Sequence, residues 1–456
     1  MPQTLTKSNS FLGIRIEEAP GTSFEPGDTI IGRVYRKTRA VSPRASVTIS
    51  LHGGSEFKIV VRNGQSSTFR RHDFFNARDT TYTIFDGPLH IEPASSGVAW
   101  PFAITIPSSF DHLSLDRGVP EDHSHPSLGP DDVAARPLPS TFSTGNPVFP
   151  QNPRAFVEYF LQAELRLYNH RSTDVYEATL PLSMVNSPEP PITNYHLRLA
   201  KFQRGVNSQR LVPGMEDAEL TFTQRTQKFF GSPKIPNFIF QAQVEIPTVM
   251  QLNDPHPIPI CLRVNPLWAK TSDIIRGVPQ KVKLTSLALV LKADTEVKWS
   301  DIFNTQHAST LHKPDLTVDA AFHALGHDLY VPCSVEDPPL DVGQLVNFRI
   351  GPHGRISPAP DYSGQPRVYP CFTTNNIRHS HRLQWEVRLL VAGETVEVMG
   401  EGQVTVLSPS DSSGRSAWMR PPTAPENTDS WIRPPAEEEK EEDVAPPSFT
   451  EAQNGG

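Results

Sequence analysis

The stretch that decides the fold is Val157–Leu167, "VEYFLQAELRL". Val157, Tyr159, Leu161, Ala163, Leu165 and Leu167 fall at every second position, and Glu158, Gln162, Glu164 and Arg166 fall between them. Phe160 is the one apolar residue out of phase. A period of two puts alternate side chains on opposite faces of a strand, whereas a helix needs a period of 3.6. The same alternation recurs in "SVTISL" (Val47, Ile49, Leu51), "WPFAITI" (Trp100, Phe102, Ile104, Ile106) and "FIFQAQVEI" (Phe238, Phe240, Ala242, Val244, Ile246). It appears again in "IPICLRV" (Ile258, Ile260, Leu262, Val264) and "LQWEVRLLV" (Leu383, Trp385, Val387, Leu389). Strands with one wet face that bury the other against a second sheet predict antiparallel β-sandwiches and an all-β chain. Pro101 lacks an N–H, so it marks its strand as an edge or a bulge.

Punctuation supports this reading. In "FEPGDTIIGRV", Phe24 to Val34, Pro26 and Gly27 suit the central positions of a type II turn, and β-branched residues follow directly. Read alone, this is a hairpin corner with a structural role for both glycines, Gly27 and Gly32.

Length and composition set the number of units. A chain of 456 residues is too long for one ordinary core. Its 46 prolines are about twice average usage and disfavour helices. Nine lie between Pro107 and Pro153 and eight between Pro409 and Pro447. The first of these segments reads as a long mobile insertion, and the second opens a disordered acidic tail over 409–456. "VNSPEPPITNYHL", with Pro188, Pro190 and Pro191, reads as a linker. The expected organisation is a sandwich over 10–186 carrying the insertion at about 107–153, a second over 192–408, and the tail.

The formal charge is −8, and the tail holds ten acidic against four basic side chains, so the rest is near neutral. That excludes a global basic field for nucleic acid and leaves local basic patches for acidic lipids. Cys261, Cys333 and Cys371 are odd in number and widely spaced, as expected of buried free thiols in a reducing compartment. No apolar run approaches a spanning helix, and the opening "MPQTLTKSNS" has no signal-peptide pattern. The expectation is a soluble intracellular protein.

The sequence carries no catalytic constellation of a familiar kind: no Gly-x-Ser-x-Gly elbow, no phosphate-cradling loop with Lys, no Cys-x-x-Cys pair. "DHSHP" (Asp122, His123, His125) and "RHSHR" (His379, His381) place two histidines at i and i+2, on one face if extended. Zinc sites need three or four fixed ligands, so neither is assigned a metal. The reading is a protein that is not an enzyme and has no cofactor.

Taken in order, the segments resemble the arrestin fold, and more narrowly the fungal arrestin-related (α-arrestin) proteins. The resemblance rests on Phe11 to Ile16, Pro26-Gly27-Asp28, Ile30 to Val34, "VTISLHG" with Leu51 and Gly53, "FVEYFLQAEL", and "CFTTNNIRHSHRLQWEVRLLVAGETVEV" from Cys371 to Val398. Together these span most of 11–407. The resemblance implies tandem immunoglobulin-like sandwiches and an adaptor that binds cytosolic parts of membrane transporters or receptors. It further implies recruitment of a HECT-type ubiquitin ligase for endocytosis and protein transport, and a cytoplasmic place peripheral to the plasma membrane or endosome. The family's ligase contact is Pro-Pro-x-Tyr, a polyproline II segment lying in a WW domain's aromatic groove. The sequence departs from that motif. Its nearest segments are "APDY", with Pro360 and Tyr362, and "PPSF", with Pro446, Pro447 and Phe449 in place of tyrosine. "FRRHDFF" (Phe69 to Phe75) offers Arg70 and Arg71 as a contact for cargo phosphate or lipid. The alternative is a retromer-like cargo-sorting scaffold with no ligase contact.

Overall fold

A computed structural model describes residues 4–18, 22–60, 67–92, 97–111, 124–125, 132, 136–144, 154–169, 172–187, 189–215, 235–300, 305–312, 316–356 and 367–410. The first half of the chain contributes β1 (Gly13–Ile16), β2 (Ser23–Phe24), β3 (Thr29–Arg36), β4 (Ala40–Val60) and β5 (Ser67–Asp73). It continues with β6 (Thr81–Ile91), β7 (Val98–Thr105), β8 (Phe142–Ser143), β9 (Arg154–Tyr168) and β10 (Thr173–Met184). The second half contributes β11 (Leu197–Asn207), β12 (Asn237–Pro247), β13 (Val249–Gln251), β14 (Cys261–Pro266), β15 (Val282–Ser300), β16 (Thr305–His312) and β17 (Leu329–Val331). It ends with β18 (Leu340–Asp341), β19 (Ile350–Gly351), β20 (Gly354–Arg355), β21 (Phe372–Thr373), β22 (Ile377–Val391) and β23 (Glu394–Leu407). Two short helices, α1 (Val318–His323) and α2 (Val342–Leu345), lie between strands of the second half.

The two halves repeat one topology. In the first, β1-β3-β7 form a small sheet, and β2-β10-β9-β4-β5 form the spine of a seven-stranded sheet in which β6 also pairs β4 and β8 pairs β9. In the second, β12-β14-β18 answer to the small sheet, with β11 added at its edge. The spine there is β13-β23-β22-β15-β16, with β17 on β15 and β21 on β22. Even the short parallel pair recurs, β2 on β10 and β13 on β23. In each half the two sheets enclose a core. Val34, Trp100 and Ile104 meet Ile49, Leu161 and Leu165 in one, and Phe240, Val244 and Leu262 meet Leu289, Trp385 and Val398 in the other. The chain is mostly β and sandwich-like, as alternation predicts.

Local sequence explains the main elements. In β9 the residues Leu161, Ala163, Leu165 and Leu167 are buried and Gln162, Glu164 and Arg166 are not. Pro101 sits in β7 at the edge of the small sheet, opposite Arg33, where its missing N–H breaks no ladder. A buried aromatic lies opposite a glycine in both halves. Tyr159 pairs with Gly53 and Trp385 with Gly400, and a Cβ at either glycine would come within 2.7 Å and 2.4 Å of the ring.

Three expectations need correction. The Pro26-Gly27 turn is real, with Gly27 at φ 90° and Asp28 N donating to Glu25 O, but it is no hairpin corner. The strand before it, β2, joins the large sheet and the strand after it, β3, joins the small one, so the turn carries the chain across the core. Part of the expected mobile insertion is packed: Leu138 and Phe142 are buried and β8 pairs β9. Apolar anchors four residues apart are hidden when composition is averaged over 107–153. Finally, Pro409 and Ser410 of the expected tail are tied to Glu189, Leu252 and Asn253, while 411–456 lie outside the described residues.

Candidate functional site

Of the candidate contacts, Pro360, Tyr362, Pro446, Pro447 and Phe449 lie outside the described residues. Arg70 pairs with Phe57 through the backbone of β5, and its side chain is likewise outside them. Arg71 is placed. It lies opposite Glu56 on the outer face of the seven-stranded sheet, with Nε 2.7 Å from Asp73 Oδ1, Nη1 3.7 Å from Glu56 Oε2, and its guanidinium 5.4 Å from the Phe160 ring centre. Phe160 stacks on His52, opposite it on β4, and His52 Nε2 lies 2.9 Å from Ser50 Oγ.

This patch is drier than alternation predicts. Glu158, expected on the wet face, is 2% exposed, and its carboxylate accepts from both the N–H and the hydroxyl of Thr4. The amino-terminal segment that includes Thr4 also bridges the edge of β10 at Thr179. Burial raises the Glu56 carboxyl above its ordinary range, and Glu158 adds to the shift while Arg71 opposes it. Burial lowers His52, reinforced by Arg71. An anion approaching Arg71 must therefore displace Asp73, which sits on the exposed side; such exposed pairs contribute about 0–1 kcal/mol, so exchange is feasible. Of the carboxylates, Asp73 was visible within "FRRHDFF"; Glu56 and Glu158 carried no signal beyond their place in strands.

A second constellation lies where the halves meet. The inward faces of β15 and β22 run from one core into the other. Val297 and Ile377, paired in register, belong to the first half's core, and Leu291 and Leu383, also paired, belong to the second. Between them stand Thr295 opposite His379 and Ala293 opposite His381. Both histidines of "RHSHR" share a face, as period two requires, and that face is this seam. Thr295 Oγ1 is 2.8 Å from His379 Nδ1, Cys371 Sγ is 3.2 Å from His381 Nδ1, and the imidazoles meet edge to face at 4.7 Å. Phe142 packs against Tyr369, Phe372 and His379. Asn376 Oδ1 accepts from Ser55 Oγ, and its Nδ2 donates to Ser55 O. Asn375 O accepts from His125 N, the only placed histidine of "DHSHP".

The Cys371 and His381 pair has the electrostatics of a neutral hydrogen bond. Burial raises the thiol, with smaller lowering by Val406 N–H and His381, and burial lowers the imidazole to about 4. A nucleophilic cysteine needs the reverse, a thiolate beside a cationic base. Among the described residues no group of three or more His, Cys, Asp or Glu is arranged to hold a metal ion.

The linker is strapped down. Gln251, fully buried, donates from Nε2 to the carbonyls of Glu189 and Pro190, and Ile192 N donates to Gln251 Oε1 and Asp254 Oδ2. Beside it a crevice of about 230 Å³ opens between the halves, lined by Thr141, Phe142, Met184, Leu252, Tyr369 and Pro409, among others. Asn376→Ala removes the buried bridge to Ser55 and is expected to cost about 1–3 kcal/mol. Calorimetry checks this: the variant should show a lowered first transition and separate melting of the halves, and a superimposable trace would deny the bridge that role.

Comparison with known proteins yields no family model that matches the chain and no matching curated relative.

Proposed function

We propose that the halves are tandem arrestin-like, immunoglobulin-like sandwiches, over 10–186 and 192–408, and that the chain is a non-enzymatic trafficking adaptor. In this reading it binds cytosolic parts of membrane transporters or receptors and links them to a HECT-type ubiquitin ligase for ubiquitin-dependent endocytosis. It works in the cytoplasm, peripheral to the plasma membrane or endosome. The observation that carries the reading is the repeated topology, ten strands of one half matched in chain order by ten of the other. Two sandwiches held by a packed seam offer wide sheet faces for docking, and the proline-rich segment after Ser410 has the composition of a tether that raises the local concentration of a ligase at cargo. Among the described residues no helix is long and apolar enough to cross a membrane.

The test is capture of the chain by the WW domains of a HECT ligase, with Tyr362→Ala and Phe449→Ala made singly and together. The double variant is expected to lose at least ten-fold in affinity, about 1.4 kcal/mol. Unchanged capture by the double variant, or none by the parent chain, would remove ligase recruitment from the reading. The absence of a complete Pro-Pro-x-Tyr favours the second reading, a retromer-like sorting scaffold, which predicts instead stable co-purification with fixed coat subunits.

A further inference from the structure

The end of the first half remote from the seam carries a charge pattern opposite to that of the chain. Residues 33–44, "RVYRKTRAVSPR", hold five basic side chains and no acidic one in a chain of net charge −8. They form the end of β3, a corner at 37–39, and the start of β4. Fifteen residues further along β4, Ser55 touches Asn376 at the seam, so the corner lies about 50 Å of extended strand away from it.

Three of the five basic residues are committed. Arg33 pairs with Glu17 and Arg44 with Asp86. Arg36 is buried without a carboxylate: it donates to the carbonyls of Phe11, Thr38 and Arg39 and lies 4.4 Å from the Tyr176 ring centre. It thereby props the corner from within. Lys37 and Arg39 are exposed, and no ion pair joins either to a carboxylate among the described residues. Immediately beyond them Val41 is 57% exposed, and with Pro43, Pro88 and His90 it borders an open hollow of about 530 Å³ floored by Ser42 and Leu89.

We propose that this end is a docking surface for an anionic lipid bilayer, with Lys37 and Arg39 meeting headgroup phosphates and Val41, Pro43 and Pro88 entering the interface. Cations flanking exposed apolar residues are what such a surface selects. Along one edge Ala40–Ser42 already pair with Leu89–Ile91 on β6, so a peptide strand cannot add there. This surface is distinct from Arg71, which is ion-paired to Asp73. The inference requires neither cargo nor ligase, so its failure and that of the adaptor reading are separable.

The experiment is co-sedimentation of the full chain with phosphatidylcholine vesicles, with and without phosphatidylserine, at two salt concentrations. Binding is expected only with phosphatidylserine, and weaker at high salt. Lys37→Gln/Arg39→Gln should weaken it about 30-fold, at one interfacial cation's worth each. Val41→Asp should weaken it further. Lys201→Gln/Lys281→Gln, which removes the same charge from exposed positions of the second half, should leave it unchanged. All these positions are exposed, and matching thermal midpoints would verify folding. The proposal is overturned if the parent chain ignores phosphatidylserine vesicles, if the corner variants bind like the parent, if the control pair loses as much, or if a soluble phosphopeptide binds the corner while vesicles do not.

Discussion

Tyr159→Ala is expected to lower the unfolding free energy by about 3–5 kcal/mol, the range for deleting a buried aromatic ring. Tyr159 is 1% exposed at the middle of β9. Its ring covers Gly53 on the neighbouring strand and leans against Phe74, and its hydroxyl donates to Pro139 O at 2.8 Å. Alanine leaves a cavity over a glycine that has no side chain to refill it, and it strands a buried carbonyl. The damage should travel, because Pro139 belongs to the packed segment that carries Phe142 into the seam. Tyr159→Phe keeps the ring and isolates the hydrogen bond, at about 1–2 kcal/mol. Denaturant melts combined with limited proteolysis read both effects: the alanine variant should unfold at a lower midpoint and be cut within 136–144, and the phenylalanine variant should resist cutting. An alanine variant within about 1 kcal/mol of the parent would mean that the ring contributes far less than its burial implies.

The second large effect is acid sensitivity at the seam. Burial holds the His381 imidazole at about 4, below its ordinary 6.5. Between those values the unfolded chain binds a proton there that the folded chain does not. The stability tied to the neutral ring is therefore complete above pH 6.5 and falls as pH drops toward 4, a total loss of about 3 kcal/mol. The groups facing it are Cys371 and the edge of His379, and neither supplies a negative charge to hold an imidazolium. His381→Gln should flatten the stability profile between pH 7 and 4 relative to the parent. The comparison is best read as a difference, since the raised Glu56 carboxyl contributes with opposite sign, losing stability as pH rises. Parallel profiles for parent and variant would show that the ring titrates normally. Because His381 lies between the two cores, acidification should also separate the melting of the halves.

The strands themselves were legible wherever one face is wet. Alternation in 157–167, 238–246 and 383–389 identifies β9, β12 and β22, and Pro101 announces an edge. The proline-rich segment read as a linker runs between β10, which ends at Met184, and β11, which starts at Leu197. The hairpin reading of "FEPGD" failed because a turn reports only that the chain reverses, and pairing partners are chosen elsewhere. The candidate site is half legible: Arg71 and the two histidines stand out in the sequence, but their partners Glu56, Phe160 and Thr295 come from other strands, and Cys371 from the residue before β21.

Sequence alone determined that this chain makes alternating strands, where its turns and breaks fall, and which side chains share a face, because the two-residue period is a property of the extended backbone itself. Tertiary structure decided what covers each face: that Glu158 is dry under Thr4, that Leu138 and Phe142 anchor a proline-rich segment, and that two histidines bridge two cores. Coverage depends on segments tens to hundreds of residues away, and no local pattern encodes which distant surface will exclude water from a given face.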